Sequence, residues 1–391
     1  TESGGKAGLY SENGTFTIKN DGEVKSSNGG IAVFTSGSIG TIEGKVTVGA
    51  SDNSSTGIGV YSDGSSTRTT FQGNNAELTL GTGTVGLYSS KASDFGNVFT
   101  INKLKTSIGD GAVFAYFGNT GNTTDDTVNI TNTTLQNLTV SSMGTNSAIF
   151  YGAKNTTINI NGNITADSTK FSNINDSAQF LVSDNGIVNI NSGKTLTSEL
   201  KTTISGLNGA TVTNEGTLAL TGKDGAVGIY SNASTATNSG TLTTNNQSSI
   251  GIYGKWFSTL TNNNVITTSG NKSVGIFAEN STVENKGANG KITAKGTQSA
   301  GIYGMGSIIT NEKEIITEET GSAGIYANDS DVTNKSTGKI TIQKGSSAGI
   351  YATSTSMKNV TNDGDIEVGL AGSSEIKGVG IYAGGYQNVE H

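Results

Sequence analysis

Ser322-Ala323-Gly324-Ile325-Tyr326-Ala327 is the stretch from which the rest of the chain is read. It returns as Ser299-Ala300-Gly301-Ile302-Tyr303 and Ser347-Ala348-Gly349-Ile350-Tyr351. Near copies are Ser273-Val274-Gly275-Ile276-Phe277, Ser249-Ile250-Gly251-Ile252-Tyr253 and Ala226-Val227-Gly228-Ile229-Tyr230. The closing aromatics Tyr230, Tyr253, Phe277, Tyr303, Tyr326 and Tyr351 follow one another at intervals of 23, 24, 26, 23 and 25 residues. Looser copies run back to the start: Gly8-Leu9-Tyr10, Ala32-Val33-Phe34, Gly59-Val60-Tyr61, Gly86-Leu87-Tyr88, Ala112-Val113-Phe114, Ala148-Ile149-Phe150 and Ala178-Gln179-Phe180. Gly206-Leu207-Asn208 fills one gap without an aromatic, and Gly380-Ile381-Tyr382 is the last copy. This register takes 14 of the 24 Tyr and Phe residues, too many for composition alone. A fixed period between about 20 and 50 residues marks a solenoid, a propeller or an array.

Two more landmarks follow in each period. One is an apolar residue, a polar residue and an asparagine, as in Val212-Thr213-Asn214 and Ala236-Thr237-Asn238. Asn262, Asn285, Asn311, Asn334 and Asn362 hold the same place further on. The other is a short branched segment such as Thr217-Leu218, Lys291-Ile292-Thr293 or Lys339-Ile340-Thr341. Three short strands per period, each bounded by turn residues, describe a parallel β-helix. A propeller blade needs four strands and roughly 40 residues. The reading is therefore all-β, a solenoid of about 15 coils in one domain over 1–391. Its coils are less regular over 1–227 and regular, at 23–26 residues, over 228–391. At one strand spacing of ~4.8 Å per coil the solenoid would be a rod roughly 70 Å long.

The alternation of side chains along a strand predicts the facing. In Ala300-Gly301-Ile302-Tyr303-Gly304, residues 300, 302 and 304 point inward, small-branched-small, and Gly301 and Tyr303 point outward. Tyr230, Tyr253, Phe277, Tyr303, Tyr326 and Tyr351 then form an outer column whose rings stack. The seven asparagines 214, 238, 262, 285, 311, 334 and 362 form an inner ladder of amides at a corner. The glycine after each asparagine is expected to turn that corner with φ > 0. Asn311 should matter more to stability than Thr317, which is read as a surface residue.

Composition removes several classes of function. With 57 Gly, no Pro, no Cys and many Thr, Ser and Asn, the chain has turn and strand material but no disulfide framework, thiolate metal site or cysteine nucleophile. The net charge of −7 and a single arginine, Arg68, argue against nucleic acid as a partner. No apolar run approaches the ~20 residues of a membrane helix, so no membrane contact is expected within the chain. His391 is the only histidine, so a serine-protease triad has no base to draw on. Glu312, Glu314, Glu318 and Glu319 fall within one period and read as solvated outward positions rather than a catalytic cluster. The chain begins and ends inside its own repeat and reads as a piece of a longer protein.

Candidate binding residues are those that leave the register. The step from Phe114 to Phe150 is 36 residues, and the excess lies around Tyr116, Phe117, Asn119 and Asn122, ahead of Asp125-Asp126. Long turns projecting from a scaffold commonly carry function. Asp125 and Asp126 alone supply too few of the 6–8 oxygens that calcium takes, so no metal and no cofactor is expected. Trp256, the single tryptophan, follows a strand directly and is joined by Phe257. Tryptophan is enriched at binding hot spots.

The Gly-Ile-Tyr-Ala strand, followed by Thr-Asn-x-Gly-x-Ile-Thr about every two dozen residues, resembles the passenger domains of large bacterial autotransporter adhesins, most of all the fusobacterial outer-membrane adhesins. The resemblance covers the whole chain and is strongest over 222–391. It implies a right-handed parallel β-helix, secretion through a C-terminal membrane barrel and display on the bacterial cell surface. It further implies attachment to a host cell-surface protein or glycan, or to another bacterial surface, without enzymatic activity. A monomer is expected, with a trimeric head as the structural alternative. A pure spacer and a polysaccharide-degrading β-helix enzyme are the functional alternatives.

Overall fold

A computed structural model describes residues 7–52, 54–64, 66–118, 126–369, 378–386 and 388–390. The fold is all-β, a right-handed parallel β-solenoid of about 15 turns with almost no helix. The chain divides into two compact units, Thr1–Val188 and Asn189–His391. The first strands of the turns run from Ala7–Glu12 to Gln179–Asp184 in the first unit and from Thr202–Leu207 to Val379–Gly384 in the second. The change in regularity that the sequence places at 227/228 falls inside the second unit.

A turn of the second unit shows the build. Ala323–Asn328, Asp331–Asn334 and Lys339–Ile342 are its three strands, each paired in parallel with its counterpart one turn on. The two four-residue strands alternate as the sequence predicts, with Val332, Asn334, Ile340 and Ile342 buried. The first strand does not. Ile325 is fully buried, Tyr326 half-buried and outward, and Ala327 buried, as expected. Gly324, however, points inward: a Cβ there would collide with Ile340 and sit 2.7 Å from the carbonyl oxygen of Gly349. The strand bends at this glycine, and Ala323 swings to the outer side, beside Tyr326. The same holds for Ala300 and Gly301, so the predicted facing of these two positions is reversed. Each inward Ile contributes about 1.5–3 kcal/mol by its burial.

Polar columns fasten all three corners of the second unit. At the corner between second and third strands Asn214 Nδ2 donates to Asn238 Oδ1 at 2.8 Å. The chain of amides continues through Asn262, Asn285, Asn311 and Asn334 to Asn362 at 2.7–2.9 Å, all of it buried. The predicted ladder is there. The expected positive φ is found at Gly287, at 82°, but not at Gly216, Gly240 or Gly364, and at Gly240 what forbids a side chain is the carbonyl of Gly216 in the turn before. Left-handed residues recur at the other two corners, each just before a serine that the sequence reading left unassigned. The N–H of Ser299 donates to Ser322 Oγ at 3.2 Å and that of Ser322 to Ser347 Oγ at 3.0 Å. Ser258, Ser281, Ser307 and Ser330 repeat the pattern at the corner between first and second strands.

Thr317 is a correction: it closes the strand Glu314–Thr317 facing inward, fully buried. Its hydroxyl has no hydrogen-bond partner, nor do those of Thr244 and Thr268 in the same column, where Leu220, Ala294 and Ile342 also stand. A buried hydroxyl without a partner keeps its desolvation cost and gains nothing. Thr317→Val is therefore expected to stabilise by about 1 kcal/mol, read as a higher denaturant midpoint. A lower midpoint would show that the hydroxyl is satisfied in solution.

The core of the first unit is filled by phenylalanines, of which Phe150 stands where the second unit has isoleucine. Phe71, Phe114, Phe117, Phe150 and Phe180 are fully buried. Phe114, Phe150 and Phe180 are thus not members of the outer column, as the sequence spacing suggested. Val113 pairs with Val85 and Tyr116 with Tyr88, which leaves Phe114 in the inward place of Gly86. Phe150 lies opposite Ala115 and Phe117 opposite Gly152, so a large ring meets a small neighbour and the layers close. A short helical segment, Ala92–Val98, adds Phe95 edge-on to Phe117 at 5.0 Å.

The outer column itself runs Tyr10, Phe34, Tyr61, Tyr88, Tyr116 and Tyr151 in the first unit, with Val182 next. In the second unit it opens on Ser205, not on the predicted Gly206-Leu207-Asn208, and then runs Tyr230, Tyr253, Phe277, Tyr303, Tyr326, Tyr351 and Tyr382. Ring centroids lie 4.6–5.4 Å apart there, within the range of favourable aromatic pairs.

Candidate binding surface

The corner between first and second strands normally takes one residue. Asn232-Ala233-Ser234, Glu279-Asn280-Ser281, Met305-Gly306-Ser307 and Asn328-Asp329-Ser330 all have a single left-handed residue before the serine. Lys255-Trp256-Phe257-Ser258 has two, at φ 54° and 64°. The extra residue forms a small bulge that its backbone fastens to the next turn. Trp256 N–H donates to Glu279 O at 3.2 Å and Phe257 N–H to Asn280 O at 2.7 Å. Left-handed backbone costs an L-residue about 1–2 kcal/mol, and a bulky side chain is rare there.

Burial does not offset that cost. Trp256 is 49% exposed and Phe257 86% exposed. Among the described residues neither ring packs on another aromatic, and the nearest cation is Lys255 Nζ, 5.3 Å from the indole centroid. Beside them lies a shallow depression of about 460 Å³ bounded by Asn280, Thr282 and Ile308. Ile308 and Met305, two turns away on the same corner, are also exposed. Below the bulge Tyr253 Oη donates to Glu279 Oε2 at 2.9 Å. Burial first, and then this carboxylate, push the tyrosine up to about 12, so it holds its proton throughout the physiological range.

The other candidates fare differently. Tyr116 is half-buried in the outer column between Tyr88 and Tyr151. Phe117 has no exposed surface and Asp126 is buried, its carboxylate accepting the N–H of Ala92 at 3.1 Å. Both are structural, so neither belongs to a binding loop. Asn119, Asn122 and Asp125 lie outside the described residues, as does His391. The column members Tyr230 to Tyr351 and the seven ladder asparagines stand where the sequence placed them. The acidic run is divided among lysines of neighbouring turns: Glu312 with Lys335 at 2.6 Å, Glu314 with Lys291 at 3.0 Å, Glu319 with Lys344 at 2.6 Å. The Lys335 hydrogen bond lowers the Glu312 carboxyl from its ordinary value. Among the described residues no group of three or more His, Cys, Asp or Glu is placed to hold a metal ion, and no helix is long and apolar enough to cross a membrane.

No protein-family model, no curated protein and no solved structure matches the chain.

Proposed function

We propose that this chain is the binding portion of a surface-displayed bacterial adhesin of the autotransporter type, non-enzymatic, with the β-helix as scaffold and the Trp256–Phe257 corner as a contact for a host cell-surface protein or glycan or for a partner bacterium. The observation that carries the reading is the bulge. Two large aromatic side chains are held in left-handed backbone at a two-residue corner and face water, where Asn208-Gly209 fills the same kind of corner with residues that take that backbone readily. Strain without a return inside the fold points to a contact outside it. Exposed tryptophan and phenylalanine beside a depression are the anchors that binding surfaces use. The resemblance in the repeats supplies the setting.

The test is binding of the purified chain to host epithelial cells and to other bacteria, compared with a Trp256→Asn/Phe257→Asn variant. Asparagine tolerates left-handed backbone and already occupies position 280. The variant is expected to keep or raise its unfolding midpoint and to bind at least about tenfold more weakly. Undiminished binding would remove the corner from the account. A native chain that binds no cell at all would make it a spacer.

A further inference from the structure

The position that turns outward at the bend of each first strand forms its own column. In the second unit it reads Val227, Ile250, Val274, Ala300, Ala323, Ala348 and Val379. Branched side chains fill the space beside the aromatic column in the early turns. Alanine leaves it open at Ala323 and Ala348. The result is a groove of about 350 Å³ with these two alanines as floor, Val379 at its end and Tyr326, Tyr351 and Tyr382 as one wall. Its lining spans three turns, two strand spacings, so it is roughly 10 Å long.

We propose that this groove binds a short, linear, uncharged oligosaccharide laid along the solenoid axis. Among the described residues the lining carries no charged side chain, although the chain as a whole is acidic. Tyr326, Tyr351 and Tyr382 stack ring on ring beside it, at 5.1 and 4.8 Å. Among the described residues the hydroxyls of Tyr326 and Tyr351 have no hydrogen-bond partner, whereas those of Tyr151 and Tyr253 are held by carboxylates. The groove therefore offers a row of free phenolic donors above an apolar floor, one per turn. A sugar chain matches both, with C–H faces for the alanines and ring edges and hydroxyls for the phenols. A peptide is the poorer fit. Extended peptides bind sheets by adding to an unpaired edge, and Ala323–Asn328 and Ala348–Thr353 are already paired on both sides.

This inference rests on reading the chain as a binding scaffold but assigns a site separate from the Trp256 corner. The experiment uses the whole chain and soluble linear oligomers of glucose and of N-acetylglucosamine, with a sialylated oligosaccharide as the charged comparison. Binding is followed by tyrosine fluorescence and titration calorimetry. Ala323→Val/Ala348→Val fills the floor with the residue that Val227, Val274 and Val379 already place in this column, so the variant is expected to fold. Neutral oligomers should bind the native chain, lose at least about tenfold in affinity to the valine variant, and lose less to Tyr326→Phe/Tyr351→Phe. The Trp256→Asn/Phe257→Asn variant should bind them as the native chain does. Failure of every neutral oligomer to bind the native chain, preference for the sialylated one, or indifference to the valines would each overturn the proposal. Cell attachment that depends on the Trp256 corner would stand in any of these outcomes.

Discussion

Asn311→Leu is expected to lower the unfolding free energy of the second unit by about 3–5 kcal/mol. The amide of Asn311 sits in the middle of the buried ladder. It accepts from Asn285 Nδ2 at 2.7 Å and donates to Asn334 Oδ1 at 2.7 Å and to Lys313 O at 2.8 Å. Leucine is similar in size but silences all three. Asn285 Nδ2 would keep only Glu314 O at 3.4 Å, and Asn334 Oδ1 would have no donor. Each stranded buried group costs about 1–3 kcal/mol, which is more than a surface bond ever returns. The end of the ladder provides the control. Asn214 Oδ1 is already unpaired, because the preceding turn has Ile190 where the others have asparagine. Asn214→Leu removes the bonds to Asn238 Oδ1 at 2.8 Å and Thr241 O at 3.1 Å but strands no donor, and should cost roughly half as much. Denaturant midpoints of the two variants check this. Equal midpoints would mean that the amides act one by one rather than as a chain.

The ladder was legible in the sequence because its asparagine recurs with the strand period and shares parity with an apolar neighbour. The fold was legible for the same reason: a solenoid repeats its interactions, so each is written many times. What was not legible is where the period and the parity part company. The strand bends at Gly324, and across that bend alternation assigns Ala323 and Gly324 to the wrong faces. With the facing wrong, the change from Val274 to alanine at 323 and 348 reads as a core detail, although it opens a surface groove. In the first unit Phe114 and Tyr116 are two residues apart and share parity up to the same bend. Spacing alone chose Phe114 for the column, and only the stacking of Tyr116 between Tyr88 and Tyr151 decides for the other. Phe117 drew attention as part of an insertion, yet it fills space left by Gly152 and packs on Phe150. Trp256 and Phe257 were found because the single tryptophan of the chain directly follows a strand.

Ile325→Ala is expected to cost about 2–5 kcal/mol, and Tyr326→Ala clearly less, about 1–2 kcal/mol. Ile325 is fully buried between Ile302 and Ile350, with Ala327 on the same inner side. Its truncation leaves a cavity that stacked identical turns cannot close by local collapse, since each layer is held at strand spacing. Tyr326 is half-buried. Its ring meets Tyr303 edge-to-face at 4.6 Å and stacks on Tyr351 at 5.1 Å, so truncation removes two aromatic contacts but opens no cavity in the core. The ranking, read from denaturant midpoints of the two variants, bears on more than the core. If Tyr326→Ala proved as costly as Ile325→Ala, the outer column would be a second structural seam, its ring edges committed to the fold. A tyrosine whose loss the fold tolerates, in a row whose hydroxyls are free, is available to a ligand.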